Sequence, residues 1–232
     1  MASLAPFRIG TVLADSLATF RRCFAAYVPV TLVTGIPLLL NQIPIAEGRR
    51  PTPADQPIIY TLICLGAVLS FLASAIIQAA VLADLGGGKV GLGPAIGAAL
   101  RRILPMLAML ILYGLMITFG LILLVIPGIF IWLIYSLALA ALLAEPVGVF
   151  GAFARSAALT KGNRWRLLGL LLLVIVSVVV ILLAITIGVT LIATPVIAAV
   201  IGYVWSSIYS AFFSVLLAIS YRALVRSQAS AA

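Results

Sequence analysis

The sequence predicts an all-α, polytopic membrane protein: six transmembrane helices arranged as three hairpins, each preceded by a short interfacial amphipathic helix. Three observations predict it. Of 232 residues, 65% come from AVILMFWYC and only 8% are charged, where a soluble globular domain carries about 25%. The charges are confined, leaving charge-free runs of 24, 28, 42 and 55 residues at Cys23 to Ala46, Gln56 to Ala83, Ile103 to Ala144 and Leu167 to Tyr221. No run alternates polar and apolar residues with period two, so a β-barrel is excluded and each span must satisfy its own backbone as a helix.

Taken in chain order, the first run is one bilayer-crossing helix over 24–43 and the second another over 57–83. At about 1.5 Å per residue the last two runs would make rods of about 63 and 82 Å, against a hydrocarbon core of about 30 Å, so each holds two helices. Proline removes a helix donor and clashes with the preceding turn, which puts the breaks at Pro127-Gly128 and Pro195. The remaining helices are then 104–126, 129–144, 167–193 and 197–221. The 14 basic residues fit this threading. Arg8, Arg21, Arg22, Lys89, Arg101, Arg102, Arg155, Lys161, Arg164, Arg166, Arg222 and Arg226 fall on one side, and only Arg49 and Arg50 on the other. Because lysine and arginine are retained in the cytoplasm, both termini are expected inside.

Short segments ahead of the hairpins have the spacing of helices lying in the interface plane. Ile9, Leu13, Leu17 and Phe20 share one helical face; Leu92, Ile96, Leu100 and Ile103 share another; Val149, Phe153 and Ala157 share a third. They align on Ile9-Gly10, Val90-Gly91 and Val147-Gly148, which divides a single integral membrane domain, 1–232, into repeats at 7–83, 90–144 and 147–221. Met1 to Pro6 lacks the pattern of a cleaved signal peptide. Cys23 and Cys64 belong to opposite ends of their helices and are expected to stay unpaired.

The segment Leu143-Ala-Glu-Pro-Val-Gly, followed by Ala154-Arg-Ser, Leu159-Thr-Lys-Gly and Trp165-Arg, with Ser220-Tyr-Arg near the end, carries a resemblance. It resembles the membrane domain attached to some bacterial glycerophosphodiester phosphodiesterases, which also occurs alone in bacterial membrane proteins. The resemblance implies six helices in a bacterial inner membrane, and it places Glu145, Arg155, Ser156, Lys161, Gly162, Trp165 and Arg166 in a recurring cytoplasmic motif. This sequence carries no phosphodiesterase domain, so that activity does not come with it.

The chemistry on offer is sparse. There is no histidine, and the predicted helices hold no Asp, Glu, Lys or Arg, so the usual parts of a proton-coupled carrier or an intramembrane hydrolase are missing. No cofactor, metal or catalytic residue is expected. A net charge of +9 spread over helix flanks, without interleaved stacking aromatics, argues against nucleic acid and for anionic lipid. Arg101, Arg102, Arg155, Lys161, Arg164, Trp165 and Arg166 are the lipid or partner contacts to expect, with Glu145 and Arg155 as a structural ion pair. Gly66, Ser70, Ser74 and Gln78 recur at intervals of four, and Tyr203, Ser207, Ser210 and Ser214 share a face of the last helix. Such stripes let helices approach closely and bond across; lining a polar pathway is the other reading. Two functions follow: a non-enzymatic protein that organises lipids, a protein partner or its own copies through a basic collar, or a permease or permease subunit for an apolar or lipid-like solute.

Overall fold

A computed structural model describes residues 8–87, 92–123, 125–190 and 194–229, in ten α-helices with no strand among them. In chain order these are α1 (Ile9–Thr34), α2 (Ile36–Ala46), α3 (Gln56–Asp84), α4 (Leu92–Arg101), α5 (Ile103–Leu123), α6 (Val125–Tyr135), α7 (Ala138–Ala144), α8 (Val149–Thr160), α9 (Arg164–Thr190) and α10 (Pro195–Ala229). Four of them, α3, α5, α9 and α10, are long and apolar enough to cross a bilayer, and the bent pair α1–α2 makes a fifth. The packing is that of a lipid-solvated protein. Ala73, Ala75, Ala80, Ala140, Ala141, Ala211 and Ala218 fill the helix contacts, while Leu104, Ile111, Ile122, Val180, Leu183 and Ile187 face outward. Lipid tails are as apolar as leucine, so small residues at the contacts, not bulky ones, bring helices together. The chain is a multi-pass, all-helical membrane protein.

The elements differ from the sequence reading in four places, each with a local cause. The first amphipathic segment is not a separate in-plane helix: α1 runs unbroken through Arg22 to Thr34 and lies along α10. Its buried stripe is Val12, Ser16 and Phe20, and Leu17 is left outside, because the small Ser16 permits a closer approach than the leucine face does. The span expected at 24–43 bends by 58° at Gly35. Pro37 offers no amide to the carbonyl of Val33, and a Cβ on Gly35 would stand 2.9 Å from the ring of Tyr203. The Tyr203 hydroxyl donates to the carbonyl of Leu32 and so satisfies an acceptor at the bend.

The third difference lies at Pro127-Gly128, expected as the break between two spans, which falls inside α6. Proline in the first turn of a helix loses no hydrogen bond, so Pro127 sits comfortably just inside α6. Gly128 of α6 closes against Leu121 of α5, where a Cβ would stand 2.6 Å from Leu121 Cδ2. The fourth is the span expected at 129–144, which breaks at Ser136 and Leu137 into α6 and α7. The carbonyls near the break find other donors: Trp132 from the Tyr113 hydroxyl at 3.0 Å, Leu133 from Ser136 at 2.9 Å and Ile134 from Ser156 at 2.7 Å. Lys89 and the Val90-Gly91 repeat opening lie outside the described residues. Cys23 is half-buried and Cys64 exposed, and both are free thiols.

Candidate functional site

Two groups of polar residues stand out, one at the basic end of the bundle and one along the seam between α3 and α10. At the basic end Glu145 leaves α7 in extended conformation, because Pro146 disfavours helix at the residue before it. Its Oε1 accepts from Arg155 Nε of α8 at 2.8 Å and from the Tyr221 hydroxyl of α10 at 2.6 Å. Arg155 Nη1 also reaches Gln228 Oε1 at 3.5 Å, and Gln228 Nε2 donates to the carbonyl of Ala158 at 3.1 Å. Partial burial pushes the Glu145 carboxyl up, but the hydrogen bonds from Tyr221 and Arg155, with the Arg155 charge, outweigh it and hold the group below its ordinary range. The arrangement fastens α7, α8 and α10 together.

Arg102, between α4 and α5, points its Nη1 at the carbonyls of Leu142 and Glu145, where α7 leaves its last acceptors unpaired. Arg102 and Arg155 are thus both taken up inside the fold. Arg101, Lys161, Trp165 and Arg166 remain exposed, and Arg164 is half-buried. Gly162 adopts φ +90°, the left-handed turn that releases α8 into α9. Arg101 and Arg102 share a cleft of about 670 Å³ with Glu145, Tyr221 and Arg222. Arg222 also borders a second cleft of about 480 Å³ with Asp15, Arg22, Asp84 and Arg226, where Arg22 and Asp84 form an ion pair. The sequence reading did not place Arg222 among the site residues, although it stands in the Ser220-Tyr-Arg motif quoted above.

Along the other seam the stripe residues do meet. α3 and α10 run side by side, and Ser214 Oγ lies 2.9 Å from Ser74 Oγ, which also accepts from Gln78 Nε2 at 3.1 Å. Gly66 stands apart from this contact. A Cβ there would come within 2.6 Å of Leu38 Cγ, so the glycine admits α2 against α3. Ser207 and Tyr203 belong to the α1 contact instead: Thr31 Oγ1 donates to the Ser207 carbonyl at 2.9 Å. The stripe divides between two cavities. Ser70, Ser207, Ser210 and Tyr203 line one of about 200 Å³ together with Thr31 and Gln42. Ser74 and Gln78 line another of about 150 Å³, bounded by α5, α6, α7 and α8. The two share only α3 and α10, whose seam the Ser74 and Ser214 hydroxyls close. No family model, no curated protein and no solved structure matches this chain.

Proposed function

We propose that the protein is a non-enzymatic membrane protein whose basic end lies at the cytoplasmic face of a bacterial inner membrane and gathers anionic lipid. The observation that carries this reading is the distribution of bulky and basic side chains on the short helices. On α4 the alanine face, Ala95 and Ala99, is buried, while Leu100 is 54% exposed on one side of Arg101 and Leu104, at the start of α5, is 77% exposed. Phe150 of α8 and Trp165, beside Arg166, are 77% and 76% exposed. Apolar side chains turned outward among cations suit the boundary between acyl chains and headgroups, where each Lys or Arg near an anionic surface contributes about 1 kcal/mol.

The test is lipid retention by the purified chain in detergent. Phosphatidylglycerol is expected to stay bound and raise the melting temperature where phosphatidylcholine does not, an effect lost at high salt and in the triple variant Arg101→Ala, Lys161→Ala, Arg166→Ala. Equal retention of the two lipids by wild type would overturn the reading. A second reading, a permease, draws on the two cavities. It requires solute flux by the protein alone in vesicles, and flux abolished by Ser74→Phe or Ser210→Phe.

A further inference from the structure

Of the two cavities, the one lined by Ser74 and Gln78 has the character of a binding site. Gln78 is 1% exposed, its amide nitrogen is tied to Ser74, and its amide oxygen is buried with no hydrogen-bond partner. A buried acceptor left unmatched is uncommon in a packed protein and calls for a donor. Much of the wall is aromatic, from Phe71, Tyr113, Trp132, Tyr135, Phe153 and Phe213. These rings hold one another in place, Trp132 stacked on Phe213 with centroids 6.4 Å apart and Tyr135 edge-on to Phe153 at 5.2 Å. Tyr113 and Ser136 already spend their hydroxyls on the carbonyls of Trp132 and Leu133 at the α6–α7 break. A group of waters filling about 150 Å³ would need two to four polar partners each, against side-chain groups on this wall that come down to the Gln78 amide, Ser74 and the Tyr135 hydroxyl. A cavity of this size with apolar walls accommodates one benzene-sized ring.

We propose that this cavity is a binding site for a small neutral molecule with a ring-sized apolar body and a single hydrogen-bond donor directed at the Gln78 amide oxygen. The site is independent of the basic end and of any lipid held there. A ligand of this class partitions into the bilayer and has no need of an aqueous path. The aromatic rings supply its contact area and the amide supplies selectivity, because a site built around one acceptor discriminates against an analogue whose donor is blocked.

The probes are 4-fluorophenol and 4-fluoroanisole, titrated against the purified full-length chain in detergent micelles and followed by fluorine NMR with empty micelles as reference. Wild type is expected to bind 4-fluorophenol saturably and at least tenfold more tightly than 4-fluoroanisole. In Gln78→Leu that preference is expected to shrink to threefold or less, with 4-fluoroanisole unchanged. Ala138→Phe, which fills the cavity, is expected to remove saturable binding of both. Should either variant lose its monodisperse elution, the contrast between the two probes on wild type still decides. Equal affinities on wild type, or partitioning no different from empty micelles, would overturn the proposal and leave water as the only occupant. Saturable 4-fluorophenol binding that survives both variants would locate it elsewhere and overturn it as well.

Discussion

The two ends of the bundle are built differently. Towards the basic end, α10 buries a continuous run from Ser214 to Tyr221, and α3, α7, α8 and the start of α9 close around it through Ile77, Leu142, Leu159, Leu167 and Leu170. At the opposite end α9 exposes Val176, Val179, Val180, Leu183 and Ile187, and α5 exposes Leu115, Phe119 and Ile122. Hydropathy does not explain the contrast, since apolar residues fill both ends. What differs is the clustering of interruptions at the basic end. Breaks at Ser136 and between Glu145 and Gly148 leave carbonyls that need partners, and supplying them draws Arg102, Tyr113 and Ser156 across from other helices, while Tyr221 reaches the Glu145 carboxylate. Uninterrupted helices satisfy themselves and have no such reason to converge.

The largest effect is expected from removing packing at the closed end. Leu216→Ala, at a fully buried position of α10, is expected to lower stability by about 2–3 kcal/mol, through the void left behind and with little transfer contribution, because lipid is as apolar as leucine. Thermal unfolding in one detergent measures it. Next comes Ser156→Ala, which strips the Ile134 carbonyl of its donor and is expected to cost about 1–3 kcal/mol. Rescue by Ser156→Thr would separate the lost hydrogen bond from a packing defect.

Glu145→Gln should cost about 1–2 kcal/mol at neutral pH, given that the pair with Arg155 is partly exposed. The sign of its pH dependence follows from the lowered carboxyl. A group held below its unfolded value stabilises fully above the ordinary carboxylate range of about 4.3 and loses that contribution as pH falls through the folded value. The gap between wild type and Glu145→Gln should therefore be constant from neutral pH down to about 5 and close in stronger acid. A gap that widened in acid would break the assignment. The smallest effect is expected from Leu183→Ala on the open side of α9, within about 0.5 kcal/mol. A loss there comparable to that of Leu216→Ala would erase the distinction between the ends.

The sequence announced the helical class through its charge-free runs, because exclusion of charge is a property of the solvent and needs no knowledge of neighbours. Breaks were legible only where a residue carries its own reason. Pro195 opens α10, where proline belongs. The bend at Gly35 was readable in principle from Pro37 two residues on, and a span drawn through both ignored it. The break at Ser136 has no such marker, since no glycine or proline stands there; what sustains it are donors from Tyr113 and Ser156, distant in the chain. The same holds for the charges. Nothing local distinguishes Arg102 and Arg155, which turn inward to carbonyls and to Glu145, from Arg101 and Arg166, which stay outside. The stripe residues Ser74, Gln78 and Ser214 meet because their helices run side by side, whereas the intervals of four alone gave no means of separating them from Gly66 or Ser70.

The closest partner of α1 is α10, so the first helix is completed by the last. Phe20 waits for Phe212, whose ring meets it edge-on at 5.5 Å, and Thr31 waits for the Ser207 carbonyl. At a synthesis rate of about 5–20 residues per second, the interval between these two helices lasts roughly 10–40 s. Throughout it the Val12, Ser16 and Phe20 stripe lacks its α10 partner, and the Leu32 carbonyl at the bend has not yet received the Tyr203 hydroxyl. Biogenesis therefore contains a period in which an inserted but unclosed chain must be tolerated by the membrane or shielded by whatever attends insertion.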